Sequence, residues 1–195
     1  MSIDTQLFEG KLIRLAPIDH EKDPEVESRW THDLTLLRAL SLQPALPLSI
    51  AQMKKRYEAI EKEVDESKRL FYFTIRGKED SRLLGFVRIE WIEWTHGTGN
   101  LRLAIGDPSE RNKGYGSETL ELMLRFAFRE LNLYRLSAIV GEDNPAGLRF
   151  FKRYSFVEEV RRRKAIFRDG QTWDLIHLGI LRDEWLATNG ETQHE

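Results

Sequence analysis

The stretch NLRLAIGDPSERNKGYGSETLELMLRFAFREL, Asn100 to Leu131, decides how the rest of the chain is read. Leu101, Leu103 and Ile105 alternate with Asn100, Arg102 and Ala104, which is the period of a half-buried strand. Leu120, Met123, Leu124, Ala127 and Leu131 then recur at helical spacing and form one apolar stripe. Between strand and helix lies Arg111-Asn112-Lys113-Gly114-Tyr115-Gly116-Ser117. Two glycines allow a sharp turn and a close approach of backbone to a ligand. The N–H groups of the first helical turn point outward at the positive end of the helix dipole. With Arg111 and Lys113 beside them they make an anion cradle, suited to phosphate or pyrophosphate.

An isolated G-x-G pair can equally be a plain tight turn. Two better-known phosphate loops are excluded by spelling. A P-loop needs Lys-Ser/Thr directly after its last glycine, whereas Lys113 precedes Gly114. A dinucleotide fingerprint needs a third glycine where Thr119 stands.

The loop resembles the acyl-CoA pyrophosphate loop of the GNAT N-acetyltransferases, Arg/Gln-x-x-Gly-x-Gly/Ala, with Arg111, Gly114 and Gly116 at its fixed places. The likeness extends through Ile105-Gly106-Asp107, Phe128 to Leu133, Asn144, Arg168-Asp169-Gly170 and Leu181 to Trp185. Those segments resemble the branch containing the Rim-type ribosomal-protein N-terminal acetyltransferases. The resemblance covers nearly the whole chain, more loosely before residue 83.

At 195 residues the chain suits one domain, with an ordered core of about residues 8–186 and a polar tail from Thr188 to Glu195. A net charge of −2 points to no polyanion and speaks against a nucleic-acid partner. The absence of cysteine excludes disulfides, thiolate metal sites and a cysteine acyl-enzyme. No apolar run approaches the roughly 20 residues of a membrane span, and no signal-peptide core is present. The expectation is a cytoplasmic protein with no metal and no membrane partner.

Lys11 to Ile18 reads as a first strand, and Asp23-Pro24 as a helix start with Asp23 as N-cap. That helix runs through Trp30 and His32, ahead of the apolar, proline-broken loop from Leu40 to Leu48. Packing beneath the domain is the favoured role for this loop, with an acceptor-site wall or a dimer contact as the alternative. Ser49 to Gln52 fits a capping box opening a helix to about Val64. Leu70–Arg76 and Leu83–Trp94 form a hairpin, Tyr134–Val140 a strand, and Asn144-Pro145 begins a helix. Phe156–Phe167 and Thr172–Leu181 are strands joined by Asp169-Gly170. These elements make an α/β domain with a mixed, mostly antiparallel sheet flanked by helices. The unit from Asn100 to Val140 is a parallel crossover. The resemblance implies the GNAT fold, in which the two central strands splay and the pantetheine arm enters between them. A glycine or bulge near Gly106 would assist the splaying.

The resemblance also implies acetyl-CoA as co-substrate and an amine as acceptor, either a protein N-terminus or a small molecule such as a polyamine, amino acid or aminoglycoside. It allows a homodimer. On it, Leu103, Ile105, Arg111, Asn112, Lys113, Gly114, Tyr115, Gly116, Ser117, Asn144 and Phe151 are the expected CoA contacts. Asn144 is either a helix N-cap or a contact to the arm and acetyl group, and the two roles compete. Many relatives carry a tyrosine, able to protonate the CoA thiolate, where this chain has Phe151. Ser155 stands where a glycine is common. Water is the alternative proton source, since a simple thiol ionises near pH ~8.5. Tyr154 is a weaker substitute. Glu90 and Glu93 are the carboxylate candidates for taking the amine proton, and in a regular strand at most one would line the site. Trp91 and Trp94 read as core. Arg161-Arg162-Arg163-Lys164 reads as a charged edge guarding against aggregation. Two rivals stand beside the enzyme: a CoA-binding module with weak activity, prompted by Phe151, and an RNA contact protein using the basic run.

Overall fold

A computed structural model of the chain describes residues 7–188. The polar tail beyond Thr188 lies outside them. Strand β1 (Ile13–Ala16) leads to helices α1 (Asp23–Trp30), α2 (Leu34–Leu40) and α3 (Ile50–Ser67). Strands β2 (Phe71–Gly77), β3 (Leu83–Glu93) and β4 (Thr98–Ile105) follow, then helix α4 (Tyr115–Arg125). The rest is β5 (Arg135–Gly141), α5 (Pro145–Arg153), β6 (Val157–Arg168), β7 (Gln171–Leu181) and α6 (Arg182–Thr188).

The seven strands form one sheet in the order β1-β2-β3-β4-β5-β7-β6. The β4–β5 pairing is parallel and its neighbours are antiparallel. The β3–β4 ladder runs as far as Gly85↔Ile105, but the β4–β5 ladder stops at Asn100↔Ser137. Beyond that point Leu101 to Ile105 is paired on one side alone, and a wedge opens between β4 and β5. Gly106 does not bulge. A Cβ there would lie 2.1 Å from the Trp30 indole, so its glycine is required by the close approach of α1.

Strand alternation divides the core between two faces. Leu101, Val87 and Ile89 pack with Leu120, Met123 and Leu124 of α4. Phe86 and Ala104, partners across β3–β4, pack instead with Leu36 of α2. Met53, Tyr57 and Ile60 bury the apolar stripe of α3. Its N-terminus is the expected capping box, with Ser49 Oγ accepting from Gln52 N and Gln52 Oε1 accepting from Ser49 N. The apolar stripe read as one long helix after Gly114 ends in a π-helical turn, Phe126–Glu130, in which Leu131 N donates to Phe126 O at 3.0 Å. Asp169 and Gly170 both hold positive φ, 51° and 75°, the conformation of a two-residue hairpin turn.

Four expectations are corrected. Asp23 is the first helical residue of α1 and not its cap. Its carboxylate is buried, accepts from Asp19 N and pairs with Arg76 Nη2 at 2.6 Å, because an ionised group in the interior needs a partner charge. Asp33 caps an additional helix, α2, by accepting from the amides of Thr35 and Leu36. The apolar loop packs beneath the domain only at its ends, Leu40 and Leu48, whereas Leu42 and Leu46 are 57% and 66% exposed. Trp91 and Trp94 are exposed as well, because a bulge between Glu90 and Glu93, with Trp91 at φ 57°, breaks the alternation that would have buried them.

Candidate active site: two cavities meeting at a strand wedge

The wedge between β4 and β5 is the centre of a cavity of about 650 Å³. Leu101 to Ile105 form one wall, Ile139, Val140, Asn144, Phe150 and Phe151 the other, and Arg111, Asn112, Gly114, Gly116 and Ser117 one end. Gly114 holds φ 92°, a conformation L side chains rarely adopt, and turns the chain into α4. A Cβ on Gly116 would make ordinary van der Waals contact with the Phe150 ring at 3.7 Å and with Leu103 at 3.9 Å, and Gly114, Gly116 and Ser117 all border the cavity. The first turn of α4 therefore borders a cavity, where an anion cradle would have to lie.

The charges expected to serve that cradle are placed differently. Arg111 lines the cavity, but its guanidinium is engaged by protein: Nε donates to Ile105 O, and Nη2 to Gly106 O and Asp33 Oδ2, each of the latter at 2.9 Å. Lys113 points to Glu110, 3.1 Å away, and does not line the cavity; neither does Tyr115, which packs on the core. Arg153, at the end of α5, does line it, with Nη2 bonded to Ser117 Oγ at 2.8 Å and its guanidinium over the Phe150 and Tyr154 rings. Sequence periodicity could not single out Arg153, because its partner lies 36 residues away.

Asn144 caps α5, its Oδ1 accepting from Gly147 N at 2.9 Å, and also lines the cavity. The cap uses the oxygen alone, so the carboxamide nitrogen can still donate. The two roles are compatible. Phe151 is buried against Phe150 and Phe156 with an edge on the cavity. Tyr154 turns its hydroxyl to Glu121 at 3.4 Å and is not part of the lining. Ser155 sits at φ 64°, where a glycine is unstrained.

Neither Glu90 nor Glu93 lines the cavity. Glu90 is buried between Arg88 Nε and Arg102 Nη2, 2.9 Å from each, and Glu93 pairs with Arg69 at the bulge. A second cavity, of about 360 Å³, lies on the other side of α2 and shares Leu36, Leu40 and Arg102 with the first. The loop from Ser41 to Leu48 forms part of its wall. Its charged lining is Glu27, Arg56, Arg88 and Arg102. Burial pushes the Glu27 carboxyl up, although the Tyr57 hydroxyl bonded to it and the Arg56 charge pull the other way. Burial pushes the Arg102 guanidinium down, opposed by Glu90 and aided by Arg88 and Arg56. The basic run on β6 is partly neutralised, since Arg161 reaches Glu142, Glu158 and Asp174.

The acetyltransferase (GNAT) domain family matches residues 13–157, most of the described chain. The chain belongs to the GNAT acetyltransferases. Among relatives of this GNAT chain, spermidine N(1)-acetyltransferase of Escherichia coli K12 is 27% identical over 131 residues, 66% of this chain and 68% of that protein. The uncharacterized N-acetyltransferase YnaD of Bacillus subtilis is 33% identical over 81 residues, 42% of this chain and about half of that relative, 48%. The mouse alpha/beta-tubulin-N-acetyltransferase 9 is 24% identical over 85% of this chain and 73% of its own length. In fold, this GNAT chain is similar to spermidine N-acetyltransferase of Vibrio cholerae, solved with CoA and spermine. The TM-score is 0.77 at 19% identity, covering 91% of this chain and 99% of that one.

Proposed function

We propose that this GNAT chain is an acetyl-CoA-dependent N-acetyltransferase whose acceptor is the primary amine of a small molecule. One observation carries the reading: the cavity that runs from the start of α4 through the β4–β5 wedge shares Leu36, Leu40 and Arg102 of its lining with a second cavity. Two substrates can then approach one point from opposite sides of α2. The second cavity is small and walled by the loop after α2, which favours a small molecule over a protein N-terminus. The spermidine acetyltransferases among the relatives agree with that size class, and no ribosomal acceptor is needed to account for it.

Acetyl-CoA supplies an acyl carbon activated as a thioester. The cradle at Gly114, Gly116 and Ser117 would hold the diphosphate with backbone donors, and Arg153 at the rim would add charge. Binding so far from the reacting carbon serves to orient the thioester. Asn144, whose cap uses only Oδ1, would donate to the arm through Nδ2. The unpaired edge of Leu101 to Ile105 offers backbone donors to the arm and to a developing oxyanion. In the reaction the amine nitrogen forms the amide bond and the carbon–sulfur bond breaks. The ammonium form of the acceptor gives up two protons in all, one ending on the thiol and one in solvent. Glu27, the carboxyl in the second cavity, is the group to accept the first, since burial raises its basicity. With Phe151 in the lining, water protonates the thiolate.

Release of CoA thiol with a panel of small amines tests the assignment. Turnover with any of them supports it. Acetyl-CoA binding without turnover on every amine would leave a CoA-binding module instead.

A further inference from the structure

Arg88 of β3 and Arg102 of β4 are direct cross-strand partners, on the sheet face that floors the second cavity. Like charges directly opposite on a sheet are destabilising. Glu90 lies between them and supplies a single negative charge to two guanidiniums whose side chains are 17% and 28% exposed. Arg56 of α3 adds a third guanidinium to the same lining. Against these stands one further carboxyl, Glu27, so three guanidiniums face two carboxylates. The cavity therefore keeps an excess of positive charge in a partly desolvated place, where folding gains nothing from it. Asp23, whose charge also acts on Glu27, is already paired with Arg76. A cationic acceptor such as a polyamine would meet repulsion here.

We infer that the acceptor amine carries an anionic group, a carboxylate or a phosphate, which Arg56, Arg88 and Arg102 receive while the amine turns to the wedge. This rests on the proposed function, because it takes the second cavity as the acceptor site. Guanidinium forks match carboxylate and phosphate oxygens in pairs. Arg102, common to both cavities, fixes the distance between the anion and the acetyl group.

The test compares amines that differ only in the acid: alanine with ethylamine, lysine with cadaverine, phosphoethanolamine with ethanolamine, and spermidine alongside. In parallel, calorimetry on the CoA-loaded protein compares N-acetylalanine with N-ethylacetamide. The expected kcat/KM and binding preference for the acid member is about tenfold or more, the scale of one charge-assisted contact. Arg56→Glu, at an exposed position, should erase much of that preference while acetyl-CoA still binds. Whether the carboxylates or the phosphate lead identifies the anion. Preference for cadaverine and spermidine, or an acid preference untouched by Arg56→Glu, would overturn the inference and leave the transferase standing. Selective binding of N-acetylalanine without turnover on any amine would uphold the anion site and defeat the enzyme assignment. Binding of neither amide, with no acid preference in turnover, would overturn the anion site.

Discussion

Arg111 Nη2 lies 2.9 Å from Asp33 Oδ2, and this pair joins the loop before α4 to the first turn of α2. Asp33 also caps α2, and Arg111 also holds the carbonyls of Ile105 and Gly106 where β4 ends. One ion pair therefore sets the helix that separates the two cavities against the strand that borders both. Arg168 reinforces it by donating to the carbonyls of Arg38 and Ser41.

Removing Asp33 should loosen that helix. Asp33→Ala loses both cap and ion pair and should lower unfolding stability by about 1–2 kcal/mol. Asp33→Asn keeps a capping oxygen and should cost less than about 1 kcal/mol, since the pair is partly exposed. Denaturant midpoints of the two variants check the order; equal losses would mean that the cap does not matter.

Acid should act through the same group. Burial pushes the Asp33 carboxyl up, but the Leu36 amide, the Arg111 guanidinium and the Thr35 amide outweigh it and leave it below the usual value of 3.8. A carboxyl whose folded value is depressed contributes stability above its unfolded value and loses it as pH falls through the folded one. Stability should thus decline below about pH 4, and Asp33→Asn should show a shallower decline over that range in urea titrations.

Gly116→Asp separates binding from folding. A Cβ there makes only ordinary van der Waals contacts, and an acidic residue in the first helical turn is favourable, so the melting temperature should hold. The same charge in the anion cradle should raise the acetyl-CoA Kd at least tenfold, about 1.4 kcal/mol. Unchanged affinity by calorimetry would place the diphosphate elsewhere.

Asn144→Asp retains the capping oxygen and should fold with nearly unchanged stability, whereas Asn144→Ala should lose about 1 kcal/mol. Both lose the amide donor, so both should raise KM for acetyl-CoA. Wild-type KM in either variant would confine Asn144 to capping.

Glu27→Gln removes the carboxyl of the second cavity and keeps an acceptor for Tyr57. If Glu27 takes the amine proton, kcat should fall by about 10²-fold with little change in KM for acetyl-CoA. A variant with native turnover would return the task to solvent.

The strand, loop and helix from Asn100 to Leu131 were legible in the chain, because periodicity and the spelling Arg111-x-x-Gly114-x-Gly116 are local properties. So were the Ser49 capping box and the Asp169-Gly170 hairpin, for the same reason. The tertiary structure alone decided which charges were available. Arg111 and Lys113 read as free cations, yet both are bound by carboxylates, one of them 78 residues away. Glu90 read as a base, yet it balances Arg88 and Arg102 across a strand pair whose register no local pattern fixes. Glu27, Arg56 and Arg153 carried no signal along the sequence, since three separate helices bring them to the cavities. Secondary structure follows from neighbours along the chain; a site is made by neighbours in space, where charge, burial and partner are settled together.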